Sequence, residues 1–151
     1  MAAVVMSDKV VTSARVVESF KAFYRDLTRV PLDRIESVYA GRVIFRDPVH
    51  EIRGADALMA YMGRMCDALT EGRFEYLDEL VGEHSAYIKW LMHFRHPSLG
   101  NRLITVRGVS HIEFDERIHF HEDIYDMGEM LYEQVPVVGG VTRWLKQRLT
   151  K

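Results

Sequence analysis

Apolar residues recur at helical spacing over residues 13–29, where Val16, Phe20, Phe23, Tyr24 and Leu27 fall on one stripe. Pro31 predicts its stop. Asp33, with Glu36 three positions on, has capping-box spacing and predicts a short helix over 34–40 that buries Ile35, Val38 and Tyr39. Val43-Ile44-Phe45 reads as a short strand ended by Asp47-Pro48, and a second extended piece runs to Arg53. Gly54 breaks the pattern. Leu58, Tyr61, Met62, Met65 and Leu69 then mark one face of a long helix.

Beyond residue 72 the period changes to two. Phe74 and Tyr76 alternate with charges, and Ile88, Trp90, Met92 and Phe94 alternate with Lys89, Leu91, His93 and Arg95. Ile104, Val106, Gly108, Ser110, Ile112 and Phe114 share a face. Ile118, Phe120 and Ile124 oppose His119, His121, Asp123 and Tyr125. Residues 97–101 and Asp115-Glu116 carry turn chemistry. A last amphipathic segment follows Met127, divided by Pro136 and Gly139-Gly140. Helices gathered ahead of a run of antiparallel strands predict an α+β domain. A strongly curved antiparallel sheet wrapped around one long helix, a cone-shaped barrel, would leave a hollow between them. The expected layout is a flexible lead over residues 1–12, one domain over 13–135, and a C-terminal amphipathic helix over 136–151 packing on that domain.

Composition narrows the classes. At 48% apolar and 28% charged the chain has enough apolar matter for one core over its 151 residues, so disorder is excluded. A formal net charge of −2 gives no pull toward nucleic acid, and no nucleic-acid partner is expected. The single cysteine, Cys66, rules out an internal disulfide and suits a reducing cytoplasm. No apolar run approaches the roughly 18 residues of a membrane span. The patch over Ala2 to Met6 lacks the basic flank and length of a signal peptide, so a cytoplasmic location is expected. Arg143, Lys146, Arg148 and Lys151 give the tail a basic face that could lie on a membrane. Packing on its own domain is the expectation, with no membrane partner.

Tyr39-Ala40 followed by residues 43–48 (VIFRDP), the glycine Gly54 opening the long helix, residues 108–115 (GVSHIEFD) and residues 121–126 (HEDIYD) occur in that order. Together they resemble the nuclear transport factor 2-like superfamily, which includes ketosteroid isomerases, limonene epoxide hydrolases and SnoaL-like proteins. The resemblance covers about residues 13–135, and the tail is similar to a bacterial SnoaL-like branch with no agreed activity. It implies a cystatin-like cone and a pocket for a small hydrophobic molecule. It also implies acid–base chemistry of the isomerase, hydrolase or cyclase kind, or instead ligand binding without turnover or a dimeric interaction domain whose cavity is filled by side chains, and no cofactor is expected.

Residue by residue, Asp47 matches the base of ketosteroid isomerases. Their two oxyanion donors fall at Phe23, with Tyr24 beside it, and at Ser110, so that donor pair is not reproduced. Against epoxide hydrolases, Asp123 matches one aspartate, Lys89 stands at the arginine and Leu91 at the second aspartate. The set expected to carry chemistry is therefore Asp47, His121 and Asp123. Tyr24, Lys89, Leu91, His93, Val106, Ser110 and Tyr125 are expected around the ligand. A histidine can shuttle protons near neutral pH, and Asp123 two residues on shares its face.

Plainer readings stand beside these. Asp47-Pro48 is also a strand-ending turn, residues 119–125 also a solvated strand face, and Lys89 with Asp123 also a structural ion pair. His119, His121 and Asp123 could present three ligands on one strand face, but spacing alone does not make a metal site, and none is expected. Cys66 and the methionines read as core. His111 is expected to face away from the hollow. With the polar alternates of the 85–95 strand turned inward, Ile88, Trp90, Met92 and Phe94 would form an outer apolar face suited to a two-fold homodimer.

Overall fold

The computed structural model describes residues 7–150. The first helix, α1 (Asp8–Phe23), begins within the stretch expected to be a flexible lead, and residues 1–6 lie outside the described residues. It buries Val16, Val17, Phe20 and Phe23. It stops six residues short of the expected end because Asp26 draws the chain into a turn. The Asp26 carboxylate accepts from both the Thr28 amide (2.9 Å) and the Thr28 hydroxyl (2.6 Å). Leu27 is still buried, pinned by its amide to the Gly72 carbonyl at 2.9 Å. The capping box at Asp33 does not form. Asp33 lies inside a 3₁₀ turn, Leu32–Arg34, that runs directly into α2 (Ile35–Val38), and neither has a side-chain cap.

β1 (Tyr39–Arg46) pairs antiparallel with β2 (Glu51–Arg53). Gly54 takes φ 92°, a conformation that favours glycine, and starts α3 (Ala55–Ala68). Then come β3 (Glu71–Val81), β4 (Ser85–Arg95), β5 (Ile104–Phe114) and β6 (Ile118–Tyr125). They form one curved, unclosed six-stranded sheet in the order β2-β1-β6-β5-β4-β3. The α+β cone is as expected, with one correction. The β1–β6 pair is parallel, because α3 and the antiparallel β3–β5 run carry the chain back before β6 enters beside β1.

The sheet's concave face holds the core. Along β5, Ile104, Val106, Ser110, Ile112 and Phe114 are all buried, as the period predicts. Along β4 the parity is opposite to the expectation. Ala86, Ile88, Trp90 and Phe94 are buried against the helices, whereas Lys89, Leu91 and His93 stand on the convex side. Alternation tells which side chains share a face but not which face turns inward. Burial of the larger apolar set decides it. Ile88, Trp90, Met92 and Phe94 therefore form the inner wall and cannot serve as an outer docking face.

β6 changes parity once. Glu113 pairs with Phe120 and Phe114 with Ile118, so His119 is an extra, bulged residue, and Ile118 and His121 both end up buried. After β6 the chain forms α4 (Met127–Met130), a 3₁₀ turn (Tyr132–Gln134) and α5 (Pro136–Arg148). α5 is held by its polar side. Lys146 pairs with Asp126 (2.9 Å) and Glu133 (2.6 Å), and Arg143 donates to the Glu133 carbonyl (3.0 Å). Val137, Val141, Trp144 and Leu145 remain exposed. Among the described residues no helix is long and apolar enough to cross a membrane.

Candidate functional site

Between the sheet, α1 and α3 lies a cavity of about 140 Å³. That is close to an engineered cavity of about 150 Å³ that holds benzene. Its walls are aromatic and thioether. Phe20 comes from α1 and Tyr24 from just past its end, Phe45 from β1, Tyr61 from α3, and Phe74 and Trp90 from β3 and β4. The rings interlock edge to face, with Phe74 and Trp90 at 4.9 Å and Phe20 and Tyr24 at 5.1 Å between centroids. Met62, Met65, Met92 and Met130 fill the gaps. Asp47, Ser110, His121, Asp123 and Tyr125 supply the polar surface.

Asp47 and Asp123 thus share one hollow, as the acid–base reading requires. The expected companions Tyr24, Ser110 and Tyr125 line it too. Lys89, Leu91 and His93 do not, for the parity reason given above. His93 instead bridges Thr105 (2.8 Å) and Glu75 (2.9 Å) on the convex side. Lys89 lies on the opposite side of the sheet from Asp123, so the ion pair between them does not exist. Val106 points inward but packs with Phe94 and Ile104 in a separate apolar cluster away from the cavity. His119, the bulged residue, stays outside it, so the three possible metal ligands do not converge. His111 stacks on Tyr87 at 4.4 Å on the convex side, as expected.

A continuous hydrogen-bonded chain runs behind the cavity wall. The Tyr24 and Tyr39 hydroxyls are 2.5 Å apart, and Tyr39 meets His121 Nδ1 at 2.8 Å. His121 Nε2 meets Asp123 Oδ1 at 2.7 Å. From the other side, Trp90 Nε1 donates to Ser110 Oγ (2.9 Å), which donates to Asp123 Oδ1 (2.6 Å). An indole N–H can only donate, so the Ser110 hydroxyl proton is left to point at Asp123. With His121 neutral and protonated on Nε2, every donor in both branches points toward that one carboxylate. Oδ1 takes both bonds and Oδ2 receives neither.

Tyr24, Ser110 and His121 are almost fully buried. Burial pushes the Tyr24 and Tyr39 hydroxyls well above the ordinary tyrosine range, so both remain protonated donors. Burial does the same to Tyr125, with the Asp47 and Asp123 carboxylates adding to it. Among the described residues no group bonds the Tyr125 hydroxyl, which distinguishes it from Tyr24 and from Tyr61, whose hydroxyl is given to Asp47 at 2.7 Å.

Asp47 is differently placed. Oδ1 accepts from the Val49 amide (2.8 Å) and the His50 amide (2.7 Å), Oδ2 accepts from Tyr61, and His50 Nδ1 lies 3.1 Å from Oδ1. This is the strand-ending turn of the plainer reading, built at the edge of the cavity. Sequence reasoning missed Tyr39, Tyr61 and Trp90 as members of the polar network. A buried tyrosine or tryptophan needs a partner for its polar atom, and that was the available signal. The partners, however, lie 14 to 82 residues away in the chain.

The model of the SnoaL-like domain matches residues 20–121 of this chain. The chain belongs to that family, and with it to the nuclear transport factor 2-like superfamily. No curated protein matches it. Among solved structures, a Shewanella denitrificans protein provisionally named a SnoaL-like polyketide cyclase superposes with TM-score 0.68 and 17% identity. That match covers 78% of this chain and 93% of the other. A Mycobacterium (M. tuberculosis) epoxide hydrolase of the limonene epoxide hydrolase-like kind superposes with TM-score 0.65 and 16% identity, covering 80% and 86%. A ketosteroid isomerase-like protein from Catenulispora acidiphila, solved with trimethylamine, gives TM-score 0.68 and 11% identity, covering 79% and 91%. At these identities the likeness is one of fold.

Proposed function

We propose that this SnoaL-like domain is a pocket enzyme that moves a proton on a small hydrophobic compound bearing a carbonyl or epoxide, with Asp123 as the base. The observation that carries this reading is the chain of donors converging on one oxygen of Asp123 in a ring-lined cavity. The arrangement fixes the carboxylate and leaves its second oxygen without a protein donor. Preorganised groups of this kind act without reorganising when the reaction occurs.

With a ketone, Asp123 Oδ2 takes the proton from the carbon beside the carbonyl, and the electron pair of that bond moves onto the carbonyl oxygen. Tyr125, the cavity tyrosine with no protein partner for its hydroxyl, is the donor to the resulting oxyanion. The proton held on Asp123 then returns to carbon. With an epoxide, the same carboxylate would take the proton of a water as its oxygen bonds to a ring carbon, the ring C–O bond breaks, and Tyr125 gives its proton to the released oxygen and is reprotonated from Asp123. His121 touches the reaction only through Asp123, since both ring nitrogens are engaged, and is a positioning residue. Relatives named as a cyclase and an epoxide hydrolase share the fold and are consistent with acid–base work in it.

The test is proton exchange. The protein is incubated in D₂O with small enolisable ketones such as cyclohexenone, and loss of the α-proton signal is followed by NMR. Exchange accelerated by the protein and reduced at least about 100-fold by Asp123→Asn supports the reading, since general-base catalysis contributes roughly 10²–10⁴. A wild-type rate equal to buffer across the ketone panel, with no opening of small epoxides, refutes it. A second reading, ligand binding without turnover, is favoured by one observation: the carboxylate at the isomerase-base position, Asp47, has its lone pairs taken by the protein.

A further inference from the structure

We infer that the ligand of this cavity is a small organic cation, a protonated tertiary amine or quaternary ammonium compound about the size of choline. This rests on the reading of the cavity as the ligand site and adds the charge of the ligand to it. Three observations converge. Among the described residues the cavity is lined by two carboxylates, Asp47 and Asp123, and by no lysine or arginine. Lys21 Nζ sits over the outer side of the cavity tyrosine Tyr76, 5.7 Å from its ring centroid, but is paired with Glu18 and Glu79 at 3.0 Å each and does not line the cavity. The rest of the wall is rich in aromatic rings drawn from six elements, and the faces of such rings attract ammonium groups.

Each part excludes an alternative. An anionic ligand such as a carboxylate or an acyl phosphate would enter a desolvated space with like charges and no counter-ion, which the low local dielectric makes costly. A neutral hydrocarbon would satisfy the rings but offer nothing to Asp123 Oδ2, the oxygen that the donor chain leaves free. Neutralisation from within would have to come from His121 and His50. The donor chain is already complete with His121 neutral, and His50 is half exposed at the far side of Asp47. A trialkylammonium group matches the rings, the free oxygen of Asp123 and the volume. The methionine thioethers suit its methyl groups, because a polarizable side chain with three rotatable bonds adapts to rounded shapes.

The experiment uses one shape in three charge states. Choline, its neutral carbon isostere 3,3-dimethylbutan-1-ol and the anion 3,3-dimethylbutanoate are titrated into the intact protein. Binding is followed by calorimetry and by the NMR signals of the Met62, Met65, Met92 and Met130 methyl groups. The expected result is choline at least tenfold tighter than the alcohol, no detectable binding of the anion, and shifts confined to those methionines. Equal affinity for choline and the alcohol, or tighter binding of the anion, overturns the proposal, as does no binding of any of the three. The comparison needs no variant. Asp123→Asn should remove most of the preference for choline while leaving the alcohol unchanged. If choline fails to bind yet the protein still accelerates ketone exchange, the charge inference falls and the acid–base reading stands. If choline binds and no exchange is seen, the reverse holds.

Discussion

Replacing Tyr39 by phenylalanine removes one oxygen from the centre of the donor chain and tests its direction. Tyr39 is fully buried, and its hydroxyl is the only link between Tyr24 and His121. Without it, His121 Nδ1 loses its donor and the Tyr24 hydroxyl loses its acceptor. Each buried group left unpaired costs about 1–3 kcal/mol, so Tyr39→Phe should destabilise by roughly 2–5 kcal/mol. At about 2–4 °C per kcal/mol for a domain of this size, Tm should fall by roughly 5–15 °C. Tyr24→Phe is milder. It leaves Tyr39 still donating to His121 and costs only about 0.5–1.5 kcal/mol. The double variant orphans His121 alone, so its loss should be smaller than the sum of the singles by about 1 kcal/mol or more. Thermal and urea unfolding followed by circular dichroism measure all four proteins. Additive losses, or a Tyr39→Phe protein as stable as the parent, would refute the reading of a chain directed from Tyr24 to Asp123.

Three other outcomes follow from the same geometry. A Cβ on Gly108 would lie 2.1 Å from the Trp90 ring, so Gly108→Ala should push the indole off Ser110 and into the cavity. Overpacking of that kind costs roughly 1–3 kcal/mol, and the shift should appear as changed Trp90 fluorescence in a Trp144→Phe background. Asp47→Asn should lower stability by about 1–2 kcal/mol through the turn while changing any proton-exchange rate only a few-fold, in contrast to Asp123→Asn. Alkali should unfold the domain. The hydroxyls of Tyr24 and Tyr39 are raised by burial, so above pH 10 the unfolded chain loses those protons while the folded one keeps them. Stability then falls by about 1.4 kcal/mol per pH unit for each tyrosine. Tyrosinate absorbance should therefore rise together with loss of the circular dichroism signal, and titration of these tyrosines within a folded protein would contradict their burial.

Much of the fold was legible because local signals agreed. Gly54, the long apolar stripe of α3 and the two-residue period of β4 to β6 each point to one element, and the order of short motifs points to one cone. The parity of β4 was not legible. Ile88 and Lys89 alternate cleanly whichever way the strand is turned, and only the packed helices decide. The bulge at His119 was hidden for a similar reason, since it exists only in the pairing of β6 with β5. Asp123, His121, Ser110, Tyr125 and Tyr24 were legible as a set because motif order carries them. Tyr39 was not, because a tyrosine in an apolar stretch reads as core until its hydroxyl finds His121. The helix α1 ended early because Asp26 and Thr28 offered the backbone a local alternative, a competition that an apolar stripe does not reveal.

The methionines are not spread evenly around the cavity. Met62 and Met65 stand on α3, Met92 on β4 and Met130 on the short α4 that precedes the tail, whereas α1 contributes rings. The space therefore has a hard end, where interlocked rings and the donor chain hold Asp123, and a pliant end that can reshape. Descendants of this chain could change what they accept by altering the pliant end, or the tail segment beside Met130, while the chemistry at the hard end went undisturbed.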